Sequence, residues 1–485
     1  MISKDYLKID PRDNVAIALR ETETIPIGHK IALKTIKNGM EVIKYGYPIG
    51  IATQNIAEGQ IVHSHNLRTN LVIKQDYVYR PKHILLPEMS GSSKTFNGYL
   101  RSDGRVGVRN EIWVVPTVGC CNNVVEKLCH QATNFFKGRR IDGIFPFSHP
   151  YGCSQLGDDL ITTQKFLGGL AQHPNAGGVC IVGLGCENNN IQVFKEKLAA
   201  NSDDRRIKFL NLQDVEKEEF QVGLSLLEEL INYAEQFERQ SLPISKLVLG
   251  LKCGSSDAFS GITANPLVGE LSDYINSLGG SAILTEVPEM FGAETILMNR
   301  AINKDVFKKI VFLINRFKKY FIKYGQPIHD NPSPGNVTGG ITTLEEKSLG
   351  CIYKGGKASI VDVLEYGQLL SVNGLNLLNG PGNDIVAITN LIVSGAQIIL
   401  FTTGRGTPLG GPVPTIKISS NTELADKKEH WIDFDAGRLL QGRSLQELTD
   451  ELLNYVIKVA SGEVLTKNEK NNYRQIAIFK DGVIL

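Results

Sequence analysis

The chain's 485 residues exceed what one ordinary hydrophobic core accommodates, so two or three domains are expected. With 42% hydrophobic and 21% charged residues, it has the composition of a soluble globular protein. Its 52 basic and 51 acidic residues nearly cancel, and no basic stripe carries interleaved aromatics, so nucleic acid is not an expected partner.

The first segment, MISKDYLKIDPRDN, is polar and lacks the apolar core of a signal peptide. No apolar run approaches the roughly 18–20 residues that cross a bilayer, so the expectation is a cytoplasmic protein with no membrane partner. Residues 1–80 read as a small β-rich domain, because DNVAIALRE, KIALKTI and EVIKYGYPIGIATQ cluster or alternate β-branched residues between Gly, Asn and Pro. A linker is expected over 81–96, where Pro, Gly and Ser appear without periodicity.

From Trp113 onward short apolar runs (IWVVPTVG, DGIFPFS, GGVCIVGLG, IKFLNL) alternate with helical stretches such as NNVVEKLCHQATNFF and DDLITTQKFLGGLAQH. A second series holds KLVLGLKC, AILTEVPEM, KASIVDVLEYG, AQIILFTTGRG and TIKISS, with KDVFKKIVFLINRFKKYFIKYG between them. Such alternation predicts βα units and largely parallel sheets. Two α/β domains are expected, at 97–240 and 241–485, divided near Gln240–Pro243.

Eight cysteines in such a chain do not make a disulfide framework. Cys129, Cys180 and Cys351 suit small core or near-surface positions. Gly119-Cys120, Gly152-Cys153 and Gly185-Cys186 instead recur 33 residues apart, about one βα unit, and read as equivalent strand ends. Ligands bind beyond the carboxyl ends of parallel strands, so the three thiols suit iron, as one ion or as a cluster. Small residues that fit tight strand-to-helix turns explain the same pattern.

In LGLKCGSSDAFSGITANP, the residues Asp257, Ser260, Thr263 and Asn265 follow a strand end and suit recognition of a polyol or carboxylate, or simply a capped turn. Glu286 and Glu289 follow the next strand as oxygen ligands for Fe²⁺, Mn²⁺ or Mg²⁺, with a solvated helix start as the alternative for Glu289. Arg405, between glycines in FTTGRGTPLGG, suits a bidentate carboxylate clamp. The N-terminal domain holds His29, Lys44, His63 and His65, and the His-x-His spacing places two rings on one strand face. His83, His173, His329 and His430 stand apart. Phosphate-loop, dinucleotide and Gly-x-Ser-x-Gly patterns are absent.

The stretches GHKIALKTI, VIKYGYPIG, FNGYLRSDGRVGVRNEIWVVPTVGC, HPYGCSQ, GLGCEN, CGSSDAFSGITANP, TEVPEMFGAE, NPSPGN, KSLGC and FTTGRGTP run through nearly the whole chain. On these residues the sequence resembles the altronate and galactarate dehydratase family, and VHSHNLRTNL resembles its altronate branch. Ser255 departs from the pattern, where a second glycine is expected after Gly254. The resemblance implies an α/β fold with an N-terminal β-rich domain of the SAF (antifreeze-like) type. It also implies an Fe²⁺- or Mn²⁺-dependent lyase, with an iron–sulfur cluster as the alternative centre, that dehydrates a hexonic acid to 2-dehydro-3-deoxy-gluconate.

On that footing His29, with His65 or Lys44, supplies the acid/base pair. His63, Asp257, Ser260, Thr263, Asn265 and Arg405 contact substrate. Cys120, Cys153 and Cys186 bind metal, with Glu286 as the oxygen alternative. A homodimer is the default assembly. The competing expectations are a related lyase that acts on galactarate or sulfolactate, and a non-catalytic sugar-acid sensor.

Overall fold

The computed structural model describes residues 5–72, 76–82, 84, 86, 94–196, 198, 205–216 and 218–482. Most of the expected linker, and His83 within it, lie outside the described residues. The N-terminal region is built from two small antiparallel sheets. One runs in the order Tyr6–Leu7, Val15–Ala18, Lys30–Ala32, Ile61–Val62, and the other Glu41–Lys44, Tyr47–Ala52, Leu67–Arg68. Tyr45 (φ 59°) and Gly46 (φ 74°) close the tight hairpin of the second sheet, a turn that needs left-handed residues at both central positions. Strand alternation then buries Val42 and Lys44 together.

The second region carries a four-stranded parallel sheet, ordered Ile144–Pro146, Glu111–Pro116, Ala176–Gly183, Ile207–Asn211. Helices Asn122–Phe135, Gly157–Ala171 and Glu219–Ala234 flank it. The third carries a seven-stranded sheet whose pairings are all parallel. Its order is Ile360–Leu364, Leu375–Leu378, Ser281–Leu284, Val248–Gly254, Ile398–Thr403, Thr415–Ser419, Phe434–Asp435. The expected runs form its strands, and Leu375–Leu378 and Phe434–Asp435 join them from segments too short to carry a period.

An antiparallel ladder of Arg239–Pro243 on Thr95–Leu100, continued by Val106–Gly107, ties the entry of the second region to its exit. One apolar core unites Trp113, Phe166 and Ile181 with Ile283, Leu378 and Phe401, so the two α/β regions pack as one body. Another joins Val42, Ile49 and Leu67 to Leu249, Leu267 and Leu349, which seats the N-terminal region on the seven-stranded sheet. No described helix is long and apolar enough to cross a membrane.

The central strand Val248–Gly254 ends in a turn whose form explains the unusual Ser255. A Cβ on Gly254 would lie 2.6 Å from both Asp384 Oδ2 and the Phe401 ring. Ser255 then adopts φ 52°, and its carbonyl accepts from Gly404 N (3.1 Å) and Arg405 N (3.0 Å). A left-handed non-glycine residue costs about 1–2 kcal/mol, against roughly 0.5–1 kcal/mol of extra chain entropy for glycine. Ser255→Gly is therefore expected to raise stability by up to about 1 kcal/mol in denaturant melts, and a clear loss would refute the backbone argument.

Candidate active site

Two buried clusters meet at the carboxyl end of the seven-stranded sheet. In the first, Cys253 at the end of the central strand lies with its Sγ 3.5 Å from Cys351 Sγ. Both thiols point at one oxygen, Glu289 Oε2, at 3.1 and 3.2 Å. Lys347 binds the other oxygen of Glu289 at 2.8 Å. Glu286 accepts from Cys253 N at 3.1 Å, from Lys354 at 3.4 Å and from Lys252, which also reaches Asp384 at 2.9 Å. Glu286 is held in the left-handed region (φ 72°), a strain of order 1–3 kcal/mol that persists only where the surroundings fix it.

Burial opposes ionisation of Glu289, but Lys347, with Lys252 and Lys354, holds its carboxyl below the usual carboxylate range. Burial and the charge of Glu289 push Glu286 up. The hydrogen bond with Cys253, together with burial, drives the Cys351 thiol well above its ordinary value.

In the second cluster, Glu346 of helix Leu344–Ile352 accepts from Lys30 at 2.9 Å and Lys44 at 2.7 Å, and all three are buried. Thr342 adds its backbone N–H (2.9 Å) and hydroxyl (2.7 Å) to Glu346 Oε2. Burial lowers Lys30 to about 8. Burial acts on Lys44 in the same sense, but the attraction of Glu346 outweighs it and leaves Lys44 above its ordinary value. Glu346 itself is disfavoured by burial, yet its two lysines hold it well below the carboxylate range. A small cavity lined by Lys44, Asp257, Ser260, Glu346, Lys347 and Cys351 joins the two clusters.

The imidazoles of His29 and His63 stack beside this interface, with ring centroids 5.1 Å apart. His63 meets the Val337 carbonyl at 3.1 Å through Nε2 and Ser64 Oγ at 3.0 Å through Nδ1. Burial pushes its pKa down. Residues 63–66 form a turn rather than a strand, so His65 projects to solvent instead of sharing a face with His63. The partner of His63 is His29, brought from the segment that leads into strand Lys30–Ala32.

The hydroxyl-rich loop is engaged within the chain. Asp257 Oδ1 accepts from Ser260 N, Ser260 Oγ and Ser420 Oγ at 2.7–2.9 Å. Thr263 donates to Phe259 O and Ser420 O, and Asn265 to Gly350 O. Arg405 is exposed, 3.1 Å from Gly335 O.

Cys120, Cys153 and Cys186 lie on the other sheet, all exposed, just past three adjacent parallel strands. Their loops bond to one another: Gly119 N to Tyr151 O (2.8 Å), Asn189 N to Gly152 O (3.1 Å) and Asn189 Nδ2 to Thr117 O (3.0 Å). A Cβ on Gly152, at φ 103°, would collide with Thr117 O, so the glycine is required there. Two buried oxygens in this region, Asn189 Oδ1 and Asn211 Oδ1, have no partner. Glu286 belongs to the Cys253 cluster, not to these thiols.

Lys30, Lys252, Glu346, Lys347, Cys351 and Lys354 were not singled out by sequence reasoning, and Glu289 is buried rather than opening a solvated helix. The available signals were charged residues inside apolar runs: Lys252 in LGLKCG, and Glu346 and Lys347 in LEEKSLGC.

Three family models match in order: "Altronate/galactarate dehydratase SAF domain" at residues 20–70, "D-galactarate dehydratase/Altronate hydrolase, second domain" at 98–235, and "D-galactarate/Altronate dehydratase, C-terminal" at 244–484. The chain is 50% identical to altronate dehydratase of Bacillus subtilis, over 99% of this chain and all of that one. It is 48% identical to altronate dehydratase of Escherichia coli, over 99% of this chain and all of that protein. It is 33% identical to galactarate dehydratase (L-threo-forming) of the same organism, over 98% and 96% of the two chains.

Glu346→Gln leaves two buried ammonium groups facing an amide, a loss of about 3–5 kcal/mol, and is expected to lower the melting midpoint markedly. Because the folded carboxyl lies below its unfolded value, its contribution is full above roughly pH 5 and is lost as pH falls from there toward the much lower folded value. Acid melts of the wild type should therefore be steeper than those of the variant. Parallel curves would remove Glu346 from this role.

Proposed function

As the chain belongs to the D-galactarate/altronate dehydratase family, we propose that it is a hydro-lyase that removes water from altronate to give 2-dehydro-3-deoxy-gluconate. The observation that carries the substrate is 50% identity to an altronate dehydratase over the full length, against 33% to a galactarate dehydratase.

The C2 proton of an aldonate is weakly acidic, because the adjacent carboxylate is already charged. Its removal needs a positioned base and cations that meet the dianionic enediolate. His29 is suited as base: its Nδ1 faces the Ile27 carbonyl at 3.3 Å, a contact suited to the tautomer with the proton on Nδ1 and Nε2 as the accepting nitrogen. His63, with both ring nitrogens engaged and its charged form disfavoured, is a neutral wall that positions His29. Lys44 and Lys347 line a cavity of about 10 Å³, room for a water rather than a hexonate, and their ammonium groups are suited to stabilise negative charge that develops beside it. Lys30, brought down to about 8 by burial, stays bound to Glu346 and the Gly340 carbonyl, and the proton that His29 takes from C2 is the one that leaves with the C3 hydroxyl as water, so the step balances. The enol then ketonises.

The three exposed thiols Cys120, Cys153 and Cys186 suit iron by donor softness and by their adjacent strand ends, but the three sulfurs do not all lie within 4.8 Å of one another, so the group they would hold is a cluster rather than a single ion. Iron held there would supply Lewis-acid chemistry.

The test is an anaerobic assay of 2-oxo acid formation from altronate, galactarate and sulfolactate. Altronate is expected to turn over fastest, and preference for either rival would overturn the reading. His29→Ala is expected to lower kcat about 10²–10⁴-fold with altronate binding retained. In Cys153→Ser, iron per chain should fall; full iron stoichiometry in that protein would sink the thiolate centre.

A further inference from the structure

We infer that Cys253, Glu289 and Cys351 form a site for one thiophilic divalent metal ion, distinct from the three thiols of the four-stranded sheet and open toward the cavity under the N-terminal domain. The three donors arrive from a strand end, a turn after the neighbouring strand and a helix, and they are the group of possible ligands found within 4.8 Å of one another among the described residues. All three are buried. Two buried thiols, both weak donors, converge on one oxygen of a carboxylate whose other oxygen already holds Lys347.

The triangle has the right size. Its edges are 3.5, 3.1 and 3.2 Å, so its corners lie roughly 1.9 Å from the centre. An ion at the roughly 2.0–2.3 Å typical of oxygen and thiolate ligands fits slightly out of that plane, which leaves a further position free. Of the three ligands Cys351 lines the small cavity that also holds Lys347, Lys44, Asp257 and Glu346, so the site borders that cavity.

The charges also permit it. Lys252, Lys347 and Lys354 are matched by Glu286, Glu289 and Asp384. A dication that enters as the two thiols each lose one proton leaves the local charge unchanged, with two protons released per ion. The outer contacts are those of a ligand held in place. Lys347 binds Glu289 Oε1 and is itself fixed by Asn331 (3.0 Å) and Asn336 (3.2 Å), which aims Oε2 at the thiols. Two sulfurs and one oxygen select Fe²⁺, Co²⁺ or Zn²⁺ over Mg²⁺ or Ca²⁺.

Co²⁺ is the probe, because thiolate ligation gives it a near-ultraviolet charge-transfer band that oxygen ligation does not. The test begins with the full-length Cys120→Ser/Cys153→Ser/Cys186→Ser protein, chelator-stripped and reduced under anaerobic conditions. The expected result is one equivalent of Co²⁺ with that band and release of about two protons. The band should vanish when Cys253→Ser or Cys351→Ser is added, and each of those proteins is checked for native circular dichroism. In parallel, with no further variant, Co²⁺ should slow alkylation of Cys253 and Cys351 at least tenfold by peptide mass spectrometry, while Mg²⁺ does not. Absence of the band in the triple variant, a band that survives loss of Cys253, or unchanged alkylation each overturns the site. A disulfide between Cys253 and Cys351 that forms in air and leaves the reduced protein unable to bind Co²⁺ overturns it as well.

Discussion

The fold depends most on a single carboxylate. Glu346 lies between two buried ammonium groups, Lys30 and Lys44, that come from two different sheets of the N-terminal region. Desolvating three charges is costly, and the arrangement is tolerable only because every member has its partners. The same helix, Leu344–Ile352, then turns Lys347 toward Glu289 and Cys351 toward Cys253. Docking of the N-terminal region and assembly of the thiol–carboxylate cluster are therefore set by neighbouring turns of one helix.

That helix sits within an unusually charged interior. Lys30, Lys44, Lys252, Lys347 and Lys354 are all buried, as are Glu286, Glu289 and Glu346. Hydrophobic residues of similar volume would usually be as stabilising or more so. Fixed cations in a water-poor cavity have a different use, since they meet negative charge that develops in a reaction without reorganising. The enediolate of an aldonate dehydration carries such charge, which is why this interior suits the proposed chemistry better than a sensor that only holds its ligand.

Most of the parallel strands were legible in the sequence because they are short apolar runs, and the 33-residue Gly-Cys repeat marked three adjacent strand ends. The buried lysines were not legible, because their meaning lies in distant partners: Lys44 and Glu346 stand 302 residues apart. His-x-His was read with a strand period across what is a turn, so the wrong pair of rings was joined. The polar residues at 257–265 were read as facing a ligand, and composition alone does not reveal that Ser420, Asn421 and Gly350 take up many of their hydrogen bonds. Cys351 looked like an ordinary small core residue for the same reason: burial is visible in its neighbours, but the facing Cys253 is not.

Backbone strain separates these two kinds of feature. Among the described residues, five that are not glycine take positive φ: Tyr45, Ser154, Ser255, Glu286 and Asn472. Asparagine tolerates this conformation well, which accounts for the last. Tyr45 follows Lys44, Ser154 follows Cys153, and Ser255 and Glu286 end neighbouring strands on either side of the Cys253 cluster. Outside tight turns, nothing in the packing of an α/β core requires such conformations, and each costs stability. Tyr45 is required by its hairpin turn, so the three that remain, Ser154, Ser255 and Glu286, mark places where the chain gives up backbone energy beside a thiol or a carboxylate.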